Sequence, residues 1–350
     1  MRYVRLLLFP FSLLYHLVTH LRNWFYDNHF FKSFDLEVAT ISVGNITVGG
    51  TGKTPVVEYL IRLRKEHNKI VTLSRGYKRK TNGFILAGKE DDAKTIGDEP
   101  FQYFNKFNNE IGVSVCEDRL FAIPHILSSL PETDLILLDD AYQHRKIKPT
   151  CNILLTDYNK PFYNDMLLPA GNLRESKNNA NRADVIIVTK CPDELGEEEI
   201  KRIDNSISRY SRRNVPAFFM NIQYGIPVPV FNNKSDSCEK VILVTAIAEP
   251  KPLVDFIDKN YHLVKHFNFA DHHYFSGKNL KRIIEFYKSQ HEEGICIIFS
   301  EKDIVRIVGT ELQDILMDYP VFFQPITYKF AQNESDFEEF IQKVLDKTED

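Results

Sequence analysis

The glycine-rich segment at residues 43–55, VGNITVGGTGKTP, carries the clearest chemical signal in the sequence. Glycines in such a turn let backbone N–H groups converge on phosphate oxygens, and the N-terminus of a following helix adds partial positive charge. We therefore predict a loop that binds the phosphates of a nucleoside triphosphate, formed by Gly49, Gly50, Thr51, Gly52, Lys53 and Thr54. Lys53 is expected to reach the β- and γ-phosphates, and the Thr54 hydroxyl to ligate Mg²⁺. The match to G-x-x-x-x-G-K-[ST] is incomplete, since Thr47 occupies the first glycine position.

Acidic residues at two other places can complete a phosphoryl-transfer site. Asp139 and Asp140 follow the apolar run 135–138, at the predicted carboxyl end of a strand, where sites form in open α/β sheets. We predict Asp139 as a magnesium ligand and Asp140 as a second ligand of the metal or of its water. Asp98 and Glu99 lie at a predicted loop-to-helix boundary, which equally suits ordinary helix N-terminal acids. Four arginines either clamp phosphates or are ordinary surface residues, namely Arg75, Arg119, Arg145 and Arg174.

Composition limits the classes of function. The 350 residues include 44 basic and 48 acidic side chains, which gives a formal net charge of −4. This balance provides no strong field for a polyanion and therefore disfavours dedicated nucleic-acid binding. The length predicts about two domains, at roughly 150 residues each. The five cysteines form no CxxC pair, which argues against a zinc site and predicts reduced, buried thiols at Cys116, Cys151, Cys191, Cys238 and Cys296.

The first 31 residues differ from the rest of the chain. The apolar run 6–18 is shorter than the roughly 20 residues that a membrane span needs, and Pro10 interrupts it. Apolar residues at alternating spacings of four and three instead form one helical face, made of Leu7, Phe11, Leu14, Val18, Leu21 and Phe25. With Arg2, Arg5 and Arg22 flanking it, this face predicts an amphipathic helix that lies in a membrane surface. A helix packed on the protein's own core or on a partner is the alternative.

The remaining chain alternates short apolar runs with helical stretches, which predicts a doubly wound, mostly parallel α/β sheet of the P-loop NTPase type. We assign residues 32–214 to this P-loop domain, 215–238 to a β linker, and 239–350 to a smaller α/β domain. The predicted strands are 38–43, 70–73, 112–115, 135–138, 153–155, 185–188, 241–245, 262–267 and 295–299. The predicted helices are 54–66, 98–107, 117–130, 194–210, 251–259, 277–290, 302–309 and 334–347.

Eight segments together resemble the tetraacyldisaccharide 4′-kinase family, the lipid A 4′-kinases. They are SVGNITVGGTGKTP at 42–55, LSRGY at 73–77, GDEP at 97–100, LDDAYQHR at 138–145, LPAGNLRE at 168–175, VTK at 188–190, DHH at 271–273 and SEKD at 300–303. The segments occur in the family's order, and the set is far more specific than GGTGKTP alone. The departures are small: Tyr142 stands in place of Phe, Asn172 in place of Pro, and Ser300 in place of Thr.

The resemblance implies a kinase that uses ATP and Mg²⁺ to phosphorylate the 4′-hydroxyl of a tetraacyl glucosamine disaccharide 1-phosphate. The implied products are the 1,4′-bisphosphate (lipid IVA) and ADP, formed on the cytoplasmic face of the Gram-negative inner membrane. Asp98, aided by His272, is then the base on the sugar hydroxyl, with His273 as the alternative to His272. The other implied site residues are Lys53 in catalysis, Glu99 with Thr54, Asp139 and Asp140 at the metal, and Arg75, Arg119, Arg174 and Glu175 at the acylated disaccharide.

Two other classes of function would use the same loop. A membrane-associated P-loop ATPase that acts as a switch would share the GGxGKT core. Such proteins usually carry a second lysine just before the first glycine of that core, where this chain has Val48. A non-enzymatic nucleotide-binding protein would need Lys53 but neither Asp98 nor His272. The acids beside the loop favour an enzyme over this last class.

Overall fold

Two β-sheets organise the chain in a computed structural model, which describes residues 7–231, 238–290 and 294–347. The strands are β1 (Ala39–Asn45), β2 (Ile70–Ser74), β3 (Ile85–Leu86), β4 (Gly112–Val115), β5 (Leu135–Asp139), β6 (Cys151–Asp157), β7 (Val185–Cys191), β8 (Ala217–Tyr224), β9 (Val228–Pro229), β10 (Lys240–Thr245), β11 (His262–Asn268), β12 (Ile295–Ser300), β13 (Val321–Gln324) and β14 (Ile326–Phe330). The helices are α1 (Phe9–Asp27), α2 (Lys53–Arg64), α3 (Ala93–Ile96), α4 (Asp98–Phe107), α5 (Arg119–Ser129), α6 (Glu197–Ile207), α7 (Lys251–Asn260), α8 (Gly277–Ser289), α9 (Glu301–Ile304) and α10 (Glu334–Asp346).

The larger sheet has the strand order β14-β8-β7-β6-β1-β5-β2-β4-β3 over the described residues. Strands β8 to β4 in this order run parallel, and β14 and β3 are antiparallel edge strands. Alternate residues of β5 point to opposite faces: Leu135 and Leu137 pack with α2 and α4, whereas Ile136 and Leu138 pack with α5. Both faces are therefore covered, and the predicted doubly wound parallel fold is confirmed.

The smaller sheet has the order β11-β10-β12-β13-β9, and β9 is its antiparallel edge. Helices cover its two faces in the same way. Ile242 and Val244 of β10 pack with α8, whereas Val241 and Leu243 pack with α7. All nine predicted strands and eight predicted helices occur, although the helix predicted at 302–309 is shortened to Glu301–Ile304. The apolar pattern of the sequence did not predict β3, β13 and β14, each of which is an edge strand or lies next to one.

The end of the chain does not belong to the smaller domain, to which the sequence analysis assigned it. Strand β14 pairs with β8 of the larger sheet, from Ile326↔Tyr224 to Phe330↔Met220. Helix α10 buries Phe337, Ile341 and Leu345 in the core that also contains the apolar residues of α2. An amphipathic pattern predicts that one face of a helix is buried, but it does not identify the sheet that buries it. The domain that begins near residue 239 therefore gives its last strand and helix back to the larger sheet.

The predicted β linker at 215–238 is divided between the sheets. Strand β8 continues the larger sheet, and Val228–Pro229 pairs antiparallel with β13 of the smaller sheet. Pro229 has no N–H to donate, and the edge position of β9 accommodates this. Residues 232–237 of this predicted linker lie outside the described residues.

The cysteines fall into two groups. Cys116, Cys151 and Cys191 are buried free thiols, as predicted. The expectation of unpaired thiols is wrong for Cys238 and Cys296, which are disulfide-bonded with Cα atoms 5.6 Å apart. These two residues are separated by 58 positions in the sequence, so their spacing gave no indication of a pair.

Helix α1 docks on the larger domain through its polar residues. Ser12 Oγ donates to the carbonyl of Leu167 (3.0 Å), and Tyr15 Oη donates to the carbonyl of Arg174 (2.9 Å). The predicted apolar face points away from the protein, so that Leu7, Phe11, Leu14, Val18 and Leu21 are exposed, and Phe25 is half-buried. Arg2 and Arg5 lie outside the described residues. Within the described ranges, no helix has the length and apolar character needed to cross a membrane.

Candidate active site

The predicted phosphate loop connects β1 to the first turn of α2. Gly52 precedes the helix with φ +78°, a left-handed conformation that favours glycine, and Lys53 and Thr54 are the first two helical residues. Two hydrogen bonds fix Thr51 within the loop: Asn45 Nδ2 donates to Thr51 Oγ1 (2.7 Å), and Thr189 Oγ1 donates to the Thr51 carbonyl (2.9 Å). The first turn of α2 thus presents its N–H groups, Lys53 and Thr54 at the carboxyl edge of the sheet.

Asp139 and Asp140 lie beside this loop because β1 and β5 are neighbouring parallel strands, with Val43 in register with Asp139. Lys53 Nζ is 3.6 Å from Asp140 Oδ1. Tyr103 of α4 donates its hydroxyl to Asp139 Oδ2 (3.1 Å) and also contacts the Thr54 side chain. Asp140 has φ +47°, an uncommon conformation for a non-glycine residue and one that often marks functional sites.

The two carboxylates have opposite electrostatic environments. Burial, followed by the charge of Asp140, raises the pKa of Asp139 to about 7. Burial also acts on Asp140, but the charges of Lys53 and Arg174 outweigh it and hold the pKa of Asp140 below its ordinary value. Asp139 is therefore the carboxylate that has most to gain from a bound cation.

The donor set around Asp139 fits a magnesium ion that is completed by phosphate and water. Asp139 Oδ1 is buried and, within the described residues, has no hydrogen-bond partner. Mg²⁺ is commonly held by one or two carboxylates together with substrate phosphates. No three His, Cys, Asp or Glu side chains of the described residues form a ready-made metal cluster. The charge of Glu99 reaches Asp139, but the Glu99 carboxylate is paired with Lys302 (2.7 Å).

Asp98 and His272 come from different sheets and meet next to this edge. Asp98 begins α4, and His272 follows β11, with its Nδ1 3.2 Å from Asp98 Oδ2. Burial alone would raise the pKa of Asp98, but the hydrogen bond from His272 and the charge of Arg306 outweigh burial and lower that pKa. The alternative residue, His273, contacts Asn279 Oδ1 through Nε2 (3.1 Å) and stacks on Phe269. His272 is thus the histidine that faces the predicted base.

Of the predicted substrate residues, Arg119 and Arg174 contact Asp140, and Arg75 lies close to Arg119. Arg174 reaches the carboxylate of Asp140 (3.3 Å), and Arg119 donates to the carbonyl of Asp140 (3.4 Å). Burial and then the charge of the nearby Arg75 lower the pKa of Arg119. Arg145 is directed elsewhere, because it donates to the Asn23 carbonyl (3.0 Å) and to Asp27 (2.6 Å) of α1.

Glu175 does not have the environment that a substrate ligand would need, contrary to the prediction. Its side chain is buried, and both oxygens accept hydrogen bonds from the side chains of Asn23, Gln143, Asn179 and Arg182. The bond from Asn23 (3.0 Å) joins it to α1. The structure therefore places Glu175 beneath the N-terminal helix as an anchor, without a free oxygen for a substrate.

Sequence reasoning missed three side chains that support the site. Tyr103 links Thr54 to Asp139, Tyr328 of β14 packs against Gly52, and Arg306 contacts both Asp98 and His272. The only signal for Arg306 was its position three residues after the SEKD segment. Tyr103 and Tyr328 lie in ordinary amphipathic segments and gave no signal.

A glycine-rich phosphate loop, an acidic strand end beside it and a carboxylate–histidine pair define a P-loop enzyme of the phosphotransferase class. Comparison with known proteins identifies the family to which this enzyme belongs. A family model described as "Tetraacyldisaccharide-1-P 4'-kinase" matches residues 4–346, and the chain belongs to this family. The resemblance found in the sequence motifs is thereby confirmed.

Curated relatives and a solved structure agree with this assignment. The chain is 41% identical to the tetraacyldisaccharide 4'-kinase of Flavobacterium psychrophilum over 99% of each chain. It is 37% identical to that of Cytophaga hutchinsonii, over 99% of this chain and 98% of the relative. The crystal structure of LpxK from Aquifex aeolicus in complex with ATP matches with a TM-score of 0.74 and 27% identity, over 98% of this chain and 99% of that chain. The family assignment and the fold comparison therefore agree.

Proposed function

We propose that this protein transfers the γ-phosphoryl group of ATP to the 4′-hydroxyl of a tetraacyl glucosamine disaccharide 1-phosphate. The products are the lipid 1,4′-bisphosphate (lipid IVA) and ADP. The observation that carries the proposal is that Asp98, which pairs with His272, lies on the same helix as Tyr103, which contacts the proposed metal ligand Asp139. Helix α4 begins with Asp98, and its Tyr103 donates to Asp139. A proton acceptor and the phosphate loop are therefore held together by one helix.

The residues of the chain have distinct parts in this transfer. Backbone N–H groups of the loop and Lys53 bind and orient the phosphates. Asp98 accepts the proton of the sugar hydroxyl as its oxygen bonds to the γ-phosphorus, and the bond to the ADP oxygen breaks. His272 and Arg306 both approach Asp98 Oδ2, which leaves the other carboxylate oxygen to receive the proton. Arg119 and Arg174 add positive charge next to Asp140.

Magnesium fits this site as a resident ion. Asp139 Oδ1, Asp140 and the Thr54 hydroxyl are the oxygens that would hold it, and Glu99 adds negative charge nearby. When bound, Mg²⁺ neutralises charge on the β- and γ-phosphate oxygens. The support for this assignment is the buried Asp139 oxygen without a hydrogen bond, together with the raised pKa of that carboxyl.

We further propose that the protein works as a peripheral protein on the cytoplasmic face of the bacterial inner membrane. Leu14 and Val18 of α1 are each 62% exposed, whereas Ser12 is buried against the protein. A helix with its apolar face outward suits the boundary between lipid headgroups and acyl chains. Tyr15 joins this helix to Arg174, which contacts Asp140, so a lipid held at α1 lies close to the phosphate loop.

A transfer assay tests the proposed function directly. γ-labelled ATP is incubated with the tetraacyl disaccharide 1-phosphate in mixed micelles, with wild type, Asp98→Ala and the control Asp258→Ala. Asp258 is an exposed aspartate on α7. We expect labelled lipid with wild type and the control, and loss of labelling with Asp98→Ala. Release of free phosphate by wild type without labelled lipid would instead support the switch ATPase.

A further inference from the structure

Arg306 is a buried cation in the middle of the proposed proton-accepting pair. Its side chain is only 1% exposed, and its three nitrogen atoms each face a different side chain. Nε donates to Asp98 Oδ2 (2.8 Å), one terminal nitrogen donates to Asp303 Oδ1 (2.8 Å), and the other lies 3.3 Å from His272 Nδ1. The guanidinium thus joins the start of α4 to two segments of the smaller domain.

The two contacts of His272 Nδ1 allow only two hydrogen-bonding arrangements at this ring nitrogen. Asp98 Oδ2 and the terminal nitrogen of Arg306 lie 3.2 and 3.3 Å from this same ring nitrogen. A carboxylate can only accept a hydrogen bond, and a guanidinium can only donate one. Nδ1 therefore either carries a proton and donates to Asp98, or lacks it and accepts from Arg306. In the first arrangement the ring is hydrogen-bonded to Asp98, and in the second it is hydrogen-bonded to Arg306, which itself holds Asp98. The ring therefore stays beside Asp98 in both arrangements.

Arg306 is itself held rigidly by the smaller domain. Asp303, its second partner, is fully buried and accepts a hydrogen bond from the backbone N–H of Ala246 (2.7 Å). The neighbouring ion pair between Lys302 and Glu99 also joins this segment to the first turn of α4. Of these contacts, only those of Arg306 reach both Asp98 and His272.

Stability alone is a poor explanation for this arrangement. Burying a charged group has a large desolvation penalty, and apolar replacements of buried ion pairs are often as stable as the original. A planar guanidinium, in contrast, can hold several partners in one fixed geometry. All three side-chain nitrogen atoms of Arg306 have such partners: two face the Asp98–His272 pair, and the third faces Asp303.

We propose that Arg306 is a positioning residue for phosphoryl transfer. It fixes Asp98 and His272 relative to each other, and it makes their assembly depend on the contact between the smaller domain and α4. The proposal rests on the proposed kinase function. A displacement of about 1 Å at a reacting group can lower a rate roughly a hundredfold, so loss of this support should act on kcat.

The test compares Arg306→Met and Arg306→Lys with Lys160→Met as the matched control. Lys160 forms another ion pair between the domains, with Glu249 (2.8 Å), far from the pair in sequence and exposed to solvent. In the lipid-labelling assay we expect both Arg306 variants to lose roughly tenfold or more in kcat, with KM for ATP and lipid within about twofold. The control should retain the kcat of wild type. Full kcat in a folded Arg306→Met, or full rescue by lysine, would overturn the proposal.

Nuclear magnetic resonance of ¹⁵N-labelled histidine gives a second readout, which does not depend on activity. The ring-nitrogen signals of His272 should move in both Arg306 variants and stay in place in Lys160→Met. If Arg306→Met does not fold, Arg306→Lys carries the test, because it retains one buried cation. Unmoved His272 signals in a folded variant would overturn the proposal. Unlabelled lipid with wild type would instead refute the kinase function, and the ring signals would still test the role of Arg306.

Discussion

The hydroxyl of Tyr328 occupies the space that a Cβ on Gly52 would need. Tyr328 lies on β14, the strand that returns from the smaller domain to the edge of the larger sheet, and its side chain is buried. Gly52 has φ +78° and directly precedes α2, the helix whose first turn is proposed to bind phosphate. The last strand of the chain is therefore packed directly against the loop that is proposed to bind ATP.

Gly52→Ala should weaken ATP binding by at least tenfold. The added methyl group would overlap Tyr328, and the left-handed backbone would cost alanine about 1–2 kcal/mol in addition. Isothermal titration with ATP measures the change, and Tyr328→Phe, which removes only the hydroxyl, serves as the control. A Gly52→Ala variant that binds ATP as tightly as wild type would show that the loop does not need this close contact.

Asp139→Asn should lower the transfer rate by at least a hundredfold and raise the Mg²⁺ concentration needed for half-maximal activity. The substitution removes the buried oxygen charge that we assign to the metal, while the hydrogen bond from Tyr103 can remain. Activity measured over a range of Mg²⁺ concentrations tests this, with Asp258→Asn as an exposed control. An unchanged Mg²⁺ requirement would contradict the assignment of Asp139 as a ligand.

Asp139→Asn should at the same time stabilise the metal-free protein above pH 7. The folded pKa of Asp139 is about 7, against an ordinary value of 3.8, so the folded state holds the proton more tightly than the unfolded state. Wild type therefore loses stability as the pH rises from about 4 to about 7, by roughly 4 kcal/mol, and the asparagine variant avoids this loss. Asp140→Asn should have the opposite sign at neutral pH, because the pKa of Asp140 is lowered in the folded state. Urea unfolding in EDTA at pH 5 and pH 8 measures both variants. A gain that is equal at the two pH values would contradict the pKa argument.

Local sequence patterns predicted the elements of the fold well. The strand–loop–helix unit of β1 and α2 lies at the position that the glycines, the apolar residues and Lys53 predicted. Asp139 is the last residue of β5, as expected. The choice of His272 over His273 could not be made from the sequence. It depends on how the loop after β11 meets α4, and the two histidines are adjacent in the chain.

Contacts between distant segments account for most of what the sequence did not reveal. The apolar face of α10 predicted burial, but the packing of Phe337 with the core of α2 depends on the open edge of β8. Arg306 became recognisable only when the two sheets brought it to Asp98. Glu175 lies in a segment typical of the family, yet its oxygens are used by Asn23 and its other partners.

The exposed face of α1 should determine membrane binding. Leu14→Glu/Val18→Glu places two charges on side chains that are 62% exposed, and each lost apolar contact with lipid costs about 1.5–3 kcal/mol. Co-sedimentation with anionic vesicles should therefore fall by more than tenfold, while ATP binding and the melting temperature stay near those of wild type. The control Asn205→Glu/Ser208→Glu adds the same two negative charges at exposed, neutral positions on α6 and its C-cap, so it tests charge repulsion alone. If the α1 variant sediments like the control, α1 is not the membrane contact, and its apolar face must meet a protein partner instead.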